Sequence, residues 1–173
     1  QTDYIDLLLL HWPVGKPNME AWKQMEKIYQ SGRAKSIGVS NYLSHHLDDL
    51  ARNWSIVPAI NQIEFHPKLQ TPRLIHYCNN KGINLEAWSP LMRGEILDHD
   101  GLKKIANHYG KSVAQVVLRW NLQLGICTIP KSVHPERIAS NADIFDFQLT
   151  KEDMKAIEAL DDGIRVGEHP DHI

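Results

Sequence analysis

The segment IPKSVHPERIASN, residues 129–141, carries side chains suited to holding a phosphate group. An apolar run ends there, Lys131 and Ser132 follow, and Pro135 opens a predicted helix that carries Arg137 and Asn141 one turn apart. The N–H groups at a helix start, together with an ammonium, a guanidinium and a hydroxyl, can bind a phosphate. The alternative is a solvated helix start with Arg137 on the surface, and these residues alone do not decide between the two.

A second candidate follows the apolar run LLLL, which ends abruptly in His11, Trp12 and Pro13. An imidazole held at the end of a strand is suited to hydrogen-bonding and orienting a carbonyl group. A lone histidine in such a position is more often structural, so this ring by itself identifies no reaction.

Both candidates follow short apolar runs that alternate with longer segments of helical periodicity. The runs cover residues 4–10, 36–39, 59–65, 83–88 and 125–129. Helix starts are predicted at Asn18, at Pro72 after Thr71, at the capping box that begins with Ser112, and at Thr150. Strands and helices that alternate with short connections indicate βαβ units and a parallel sheet.

Two architectures fit this alternation, half of a doubly wound sheet and part of a (β/α)8 barrel. No G-x-G-x-x-G follows the first run, which disfavours the dinucleotide-binding doubly wound fold. Polar or aromatic residues instead follow every run: His11-Trp12, Ser40-Asn41, Glu64 to His66, Trp88-Ser89 and Lys131-Ser132. In a barrel these positions converge on the face that holds the active site, so an α/β fold of the TIM-barrel class is predicted.

Composition excludes several classes of partner. The chain has 173 residues, 42% of them hydrophobic, and a formal net charge of -2, which predicts one domain and disfavours nucleic acid or an anionic membrane as partner. No apolar stretch is long enough for a membrane span. The two cysteines, Cys78 and Cys127, have no C-x-x-C spacing, which favours a reducing, cytoplasmic location.

Five motifs occur in the order and at the spacing of the aldo-keto reductases: DYIDLLLLHWP, GVSNY, NQIEFHP, EAWSPL and IPKSVHPERIASN. With its C-terminal tail, the chain most resembles bacterial glyoxal/methylglyoxal and 2,5-diketo-gluconate reductases. The resemblance implies a (β/α)8 barrel that binds NADPH and reduces aldehydes and ketones. It also implies that residues 1–173 are the C-terminal part of a single barrel domain, about five βα units plus the C-terminal helix, with the N-terminal strands absent.

The resemblance assigns a role to each matching position. His11 matches the catalytic histidine that hydrogen-bonds the substrate carbonyl, and Trp12 would line the substrate pocket. The matching cofactor positions are Ser40, Asn41 and Gln62 for the carboxamide, Trp88 for stacking on the nicotinamide, Ser89 and Leu91 along the pyrophosphate, Lys131, Ser132, Val133 and Arg137 around the 2′-phosphate, and Asn141 at the adenine.

Two positions depart from the family pattern. Ser140 replaces a common acidic residue near the adenine, and Met92 replaces a frequent glycine, which leaves the course of the pyrophosphate loop open. No metal site is expected, because the ten histidines show no H-E-x-x-H spacing and lie on different predicted elements.

The proton-donating Tyr, its Lys partner and the paired Asp of the family belong to strands that precede the matched region. Only Tyr42 follows a strand end here, and no lysine is placed to lower its pKa. We therefore expect a carbonyl-reducing, monomeric parent protein and an inactive isolated chain that associates through exposed strand edges such as residues 5–10. The alternative is a non-catalytic half-barrel that acts as a cofactor-binding or assembly module.

Overall fold

A computed structural model of the chain describes residues 2–173. Within them, strands alternate with helices in the predicted order. The elements are β1 (Ile5–Leu10), α1 (Lys16–Gln30), β2 (Ala34–Ser40), α2 (Ser44–Ala51), β3 (Ile60–Glu64), α3 (Pro72–Lys81), β4 (Asn84–Trp88), α4 (Asp100–Tyr109), α5 (Val113–Gln123), β5 (Cys127–Thr128), α6 (Pro135–Ala142) and α7 (Lys151–Glu158), with 3-10 helices at Met92–Asp98 and Pro170–His172.

These elements form two compact units. The first contains the described residues up to Ile63, together with Pro72–Leu85 and Glu168–Ile173; the second contains Glu64–Thr71 and Glu86–Gly167. In the first unit, β1 pairs with β2 and β2 with β3. In the second, β4 pairs with β5. All of these pairings are parallel and join neighbours in chain order, which confirms the predicted βαβ units.

The core of the first unit is built around β2, whose Ile37 and Val39 side chains are buried together with Trp22 of α1. Gly38 stands between two flanking strands that leave no space for a side chain. A Cβ at this position would lie 2.6 Å from the Ile60 carbonyl oxygen and 2.9 Å from Cδ2 of Leu9. Glycine therefore allows β2 to be packed tightly between its neighbours.

The core of the second unit contains an aromatic stack between Phe65 and Trp120 of helix α5. The rings of Phe65 and Trp120 lie nearly parallel, with centroids 5.1 Å apart. Val117 and Leu118 of α5 and Ile157 of α7 are also fully buried. Helix α5 therefore presents its apolar residues to the core, and Ser112 and Gln115 form the predicted capping box at its start.

Helix α1 begins differently from the prediction. It starts at Lys16 after Gly15, so Asn18 is not its cap. The buried Asn18 side chain instead donates hydrogen bonds to the carbonyl oxygen of Trp12, at 2.5 Å, and to the hydroxyl of Tyr42. The starts of helices α2 and α4 were not predicted from the sequence. No helix within residues 2–173 combines the length and apolarity needed to cross a membrane.

Strand β1 is more exposed than expected for an apolar strand of a parallel sheet, which is usually buried on both faces. Among the described residues it pairs only with β2. Ile5 is 44% exposed and Leu7 is 37% exposed, while Leu8, Leu9 and Leu10 are half-buried. The described chain therefore has a partly exposed apolar strand at this edge of the sheet, and association through it stays a prediction.

Charge placed on this edge should suppress self-association. Ile5 and Leu7 project from the same face of β1, and replacing both with lysine puts two like charges where strands of two molecules would meet. We expect sedimentation velocity to show wild-type oligomers and a mainly monomeric Ile5→Lys, Leu7→Lys variant. Tyr29→Lys, which adds a charge at another exposed apolar residue, should behave as wild type; unchanged oligomers in the double variant would contradict the edge-pairing account.

Candidate functional site

Asn41 joins the ends of the three strands of the first unit. Its backbone is in the left-handed region, with φ 66°, and this reverses the chain directly after β2. Its N–H donates to the carbonyl oxygen of Gln62, at 2.8 Å. Its side-chain Nδ2 donates to the carbonyl oxygen of His11, at 3.0 Å. Residues that follow β1 and lie in β3 are thereby fixed relative to one another.

Ser40 completes this group. Its hydroxyl donates to the carbonyl oxygen of Gln62 at 2.8 Å and accepts from Nδ2 of Asn41 at 3.2 Å. The structure therefore brings together His11, Ser40, Asn41 and Gln62, four of the predicted site residues. Trp12 lies beside them, with its ring centroid 5.6 Å from that of the exposed His11.

Two other side chains that could do acid–base or nucleophilic chemistry are placed unfavourably for it. Burial raises the pKa of Tyr42 to about 12, only partly offset by the hydrogen bond from Asn18. Burial likewise raises the pKa of the Cys78 thiol to about 11. A proton donor or a nucleophile that works near neutral pH needs the opposite shift. Raised pKa values make Tyr42 a poor acid and Cys78 a poor nucleophile near neutral pH.

The second unit contains a cavity of about 890 Å³ that holds most of the other predicted residues. It lies where the chain leaves β4 and β5 and enters α6. Six predicted cofactor positions line it: Ser89, Leu91, Lys131, Ser132, Arg137 and Asn141. Ser140 lines it as well, so the departure from the family pattern falls within the site.

The cavity is basic, since its walls include Arg93, Lys103, Lys111, Lys131 and Arg137 and no acidic residue. Two of these charges are balanced by the protein. Lys111 pairs with Asp143 at 3.0 Å and Asp146 at 2.7 Å, and Lys103 pairs with Asp98 at 3.1 Å.

The other three, Arg93, Lys131 and Arg137, have no carboxylate within 4 Å among residues 2–173. Lys131 and Arg137 lie near the start of α6 beside Ser132, where the helix presents unpaired N–H groups. Two uncompensated cations in one cavity at a helix start provide a binding site for an anion with several oxygens, such as a phosphate. Lys131 and Arg137 are both exposed, so the phosphate interpretation of residues 129–141 stays a prediction.

Two predicted cofactor residues of this unit do not line the cavity. Val133 is 69% exposed and lies outside its walls. Trp88 is half-buried, and its ring lies against Gly167, where an added Cβ would overlap it. Gly167 therefore allows the tail to pass along the indole of Trp88. No local sequence pattern predicts this contact, because it joins residues far apart in the chain.

Glu64 fixes that tail segment. Its side chain is fully buried, accepts N–H hydrogen bonds from Val166 at 2.5 Å and Gly167 at 3.3 Å, and lies 3.5 Å from the guanidinium of Arg165. His66, also fully buried, lies 3.1 Å from the same carboxylate. Burial pushes the pKa of Glu64 upward, but the hydrogen bonds from His66 and Val166 and the charge of Arg165 outweigh it, so the pKa is below its ordinary value.

The loop after β4 has a strained backbone. Met92 and Arg93 have φ 50° and 55°, in the left-handed region that glycine adopts most readily. A glycine would relax the backbone at position 92, whereas Met92 buries its side chain instead. The loop contributes Arg93 to the cavity, and α4 contributes Lys103, neither of which the sequence analysis assigned. The only sequence signal for these two residues is their positive charge, which does not by itself show that they face the cavity.

Comparisons with known proteins agree with this geometry. Residues 1–162 match the model of the Aldo/keto reductase family. An uncharacterized oxidoreductase of Bacillus subtilis, YtbE, is 56% identical over 98% of this chain and 61% of its own length. The glyoxal reductase of the same organism is 51% identical over the whole chain and 63% of its own length. The chain thus spans less than two thirds of the length of these relatives.

A solved structure shows the same fold. A single-residue mutant of Gox0644 in complex with NADPH is 43% identical and superimposes with a TM-score of 0.94 over 99% of this chain and 64% of the other. This similarity confirms the predicted fold class, a parallel α/β arrangement of about five strands that corresponds to part of a (β/α)8 barrel. It also confirms the resemblance from which the site residues were assigned.

The Glu64 network should stabilise the fold through its negative charge. Glu64→Gln replaces one acceptor oxygen with an amide NH2 that faces backbone donors, and we expect a loss of about 2–4 kcal/mol in the free energy of unfolding at pH 7. Because the folded-state pKa is lowered, this contribution is complete above the unfolded value of about 4.3 and is lost as pH falls through the folded value.

Urea unfolding at a series of pH values measures this difference. The gap between wild type and Glu64→Gln should narrow on acidification below the unfolded pKa. Glu152→Gln, at an exposed position of α7, should stay within about 0.5 kcal/mol of wild type. If the difference in unfolding free energy between wild type and Glu64→Gln were the same at acid and neutral pH, the negative charge of Glu64 would not be the source of the stabilisation.

Proposed function

The chain belongs to the aldo/keto reductase family, and on that premise we propose that it is the NADPH-binding part of a carbonyl reductase. Residues 1–173 would form the C-terminal part of a single barrel domain. The parent protein would transfer hydride from NADPH to an aldehyde or ketone. Small aldehydes and dicarbonyls are the proposed substrate class, supported by the glyoxal reductase among the relatives.

The observation that carries this proposal is the basic cavity of the second unit. Lys131 and Arg137 line it without carboxylate partners, beside the hydroxyl of Ser132. Two cations and a hydroxyl suit a 2′-phosphate, whereas NADH would call for a carboxylate facing its ribose hydroxyl. We assign the adenosine end of NADPH to this cavity, with Asn141 at the adenine and Ser89 and Leu91 along the pyrophosphate.

The group around Asn41 is assigned to the nicotinamide end. A carboxamide presents a donor and an acceptor, and the side chains of Ser40, Asn41 and Gln62 contain both kinds of group. Binding would exchange some of the hydrogen bonds that Ser40 and Asn41 now make within the protein. Trp88 would provide an aromatic surface for the ring, and its indole is positioned by Gly167. His11, held through its carbonyl oxygen by Asn41, would donate a hydrogen bond to the substrate oxygen and orient the carbonyl, with Trp12 beside it.

When bound, the cofactor supplies a hydride to the carbonyl carbon, and the carbonyl oxygen must then receive a proton. The chain's own residues bind and orient the reactants, but its site lacks an acid suited to that last step. Tyr42, the tyrosine that follows a strand end, has a raised pKa and is hydrogen-bonded to Asn18. We therefore propose that the isolated chain binds the phosphate-bearing end of the cofactor and does not turn over.

A non-catalytic binding module is the second candidate. It is favoured by the fact that the basic cavity is built from one unit alone, so ligand binding does not need a complete set of catalytic residues. The two candidates share the cavity and differ in whether any carbonyl is reduced.

The cavity should bind adenosine 2′,5′-bisphosphate more tightly than ADP, because ADP lacks the 2′-phosphate that Lys131 and Arg137 would contact. Isothermal titration calorimetry of the full chain measures both affinities. Arg137→Ala should weaken the bisphosphate by about tenfold, the effect of one charge-assisted hydrogen bond, and should leave ADP nearly unchanged. Lys155→Ala, an exposed lysine of α7, is the matched control. Equal affinity for both nucleotides would contradict the assignment of the cavity.

The isolated chain should not oxidise NADPH in the presence of glyoxal or methylglyoxal. The physical reason is the missing proton donor, since loss of general acid catalysis alone costs about 10²–10⁴-fold in rate. Absorbance of NADPH measures the reaction, and His11→Gln distinguishes site chemistry from a contaminant. Turnover that survives repurification and is abolished by His11→Gln would show that this chain is itself a reductase.

A further inference from the structure

Helix α2 and the C-terminal tail meet in the first unit at a cluster of imidazoles and one carboxylate. Nε2 of His45 lies 2.9 Å from Oδ1 of Asp171, and Nε2 of His46 lies 3.1 Å from the same oxygen. The two imidazole centroids are 4.0 Å apart. Residues separated by 126 positions in the chain thus direct three potential ligand groups to one point.

The backbone holds these groups in place. Nδ1 of His46 accepts the N–H of Leu43 at 3.2 Å, at the start of α2. The tail ends in a 3-10 turn whose Pro170 is buried, and Nδ1 of His169 accepts the N–H of Asp171 at 3.2 Å. Both sides of the cluster are therefore ordered by hydrogen bonds and by burial rather than only by the contact between them.

The donor set is that of a transition-metal site. Two imidazole nitrogens and a carboxylate suit Zn²⁺ and its neighbours in the first row, whereas Ca²⁺ and Mg²⁺ require oxygen ligands. The ligand atoms of His45, His46 and Asp171 all lie within 4.8 Å of one another. Metal bonds of about 2.0–2.2 Å to each of three such atoms need only a small closing movement, and His45 and Asp171 are exposed enough to make it.

We propose that His45, His46 and Asp171 form a site for a divalent first-row transition metal of the Zn²⁺ class, which ties the C-terminal tail to helix α2. The carboxylate of Asp171 supplies a negative charge that attracts the cation, and the two imidazoles bind it as neutral ligands. His45 faces solvent, so water completes the coordination of the metal. His169, whose Nδ1 lies 3.8 Å from Oδ2 of Asp171, adds a further imidazole at the edge of the site.

Ligation changes one existing hydrogen bond. While Nδ1 of His46 accepts from Leu43, the neutral ring carries its proton on Nε2, which then faces Asp171. A metal at Nε2 requires the other tautomer, with the proton on Nδ1, and breaks the bond to the Leu43 N–H. We therefore expect micromolar affinity rather than the tighter binding of a closed structural site, and we expect the Leu43 amide to report on binding.

The site can be tested on the full, untagged chain after removal of metals. Titration calorimetry with ZnCl₂ and the visible absorption of added Co²⁺ are the two measurements. One equivalent of metal should bind to the wild-type chain. His45→Gln and Asp171→Asn should each weaken the affinity by roughly tenfold or more, because each variant removes one of the proposed ligands. Circular dichroism confirms that both variants remain folded.

Two matched variants serve as controls. His76→Gln removes an exposed histidine of α3, and Glu20→Gln removes an exposed carboxylate of α1; both should bind Zn²⁺ as wild type does. The nuclear magnetic resonance signal of the Leu43 amide should shift on addition of one equivalent of Zn²⁺ in wild type and in the controls, and should need a higher Zn²⁺ concentration to shift in Asp171→Asn. Binding without saturation at one equivalent, or binding equally weakened in the controls, would overturn the proposal.

Discussion

The left-handed turn at Asn41 is the constraint on which the first unit depends. Parallel strands end with their carbonyl groups at the same edge, where the sheet no longer supplies partners. Asn41 satisfies two of these carbonyls, those of His11 and Gln62, with its side chain and its backbone N–H. Asparagine tolerates the positive φ that this requires. The gathering of polar residues at the strand ends therefore follows from backbone hydrogen bonding before any ligand is considered.

The second unit contains two kinds of charged side chain: those paired within the protein and those without a partner of opposite charge. Glu64 is fully buried and is balanced within the protein by His66, Arg165 and two backbone N–H groups. Lys111 is likewise balanced by two aspartates. Lys131 and Arg137 lie in the cavity without such partners. Buried charge must be paired to be tolerated, whereas cations left unpaired at a helix start can be neutralised by a bound phosphate.

The C-terminal tail is anchored in each unit by a different kind of contact. In the second unit, residues Arg165 to Gly167 are held by Glu64, and the absence of a side chain at Gly167 admits the indole of Trp88. In the first unit, Asp171 meets the imidazoles of α2. Segments of a chain end are usually poorly ordered unless they are tied down in this way. The tail thus packs against Trp88, one of the residues that the sequence assigns to the site.

Local signals explain what could be predicted from the sequence. The strands, the helix starts at Ser112 and Thr150 and the helix after Pro135 depend on periodicity and capping within a few residues. The same reasoning misplaced Asn18, because a capping residue type was recruited into a buried bond with Tyr42. The starts of helices α2 and α4 were not predicted, and neither was the position of Lys103 of α4 in the cavity.

The sequence by itself determined the order of elements, the parallel strands and the residue types at each strand end, because these are properties of neighbouring residues. Only the tertiary structure decided which of those residues meet. It joined Asn41 to His11, left Val133 exposed, paired Lys111 but not Arg137, and brought His45 to Asp171. Such contacts depend on packing between segments far apart in the chain, for which a single sequence carries no periodic signal.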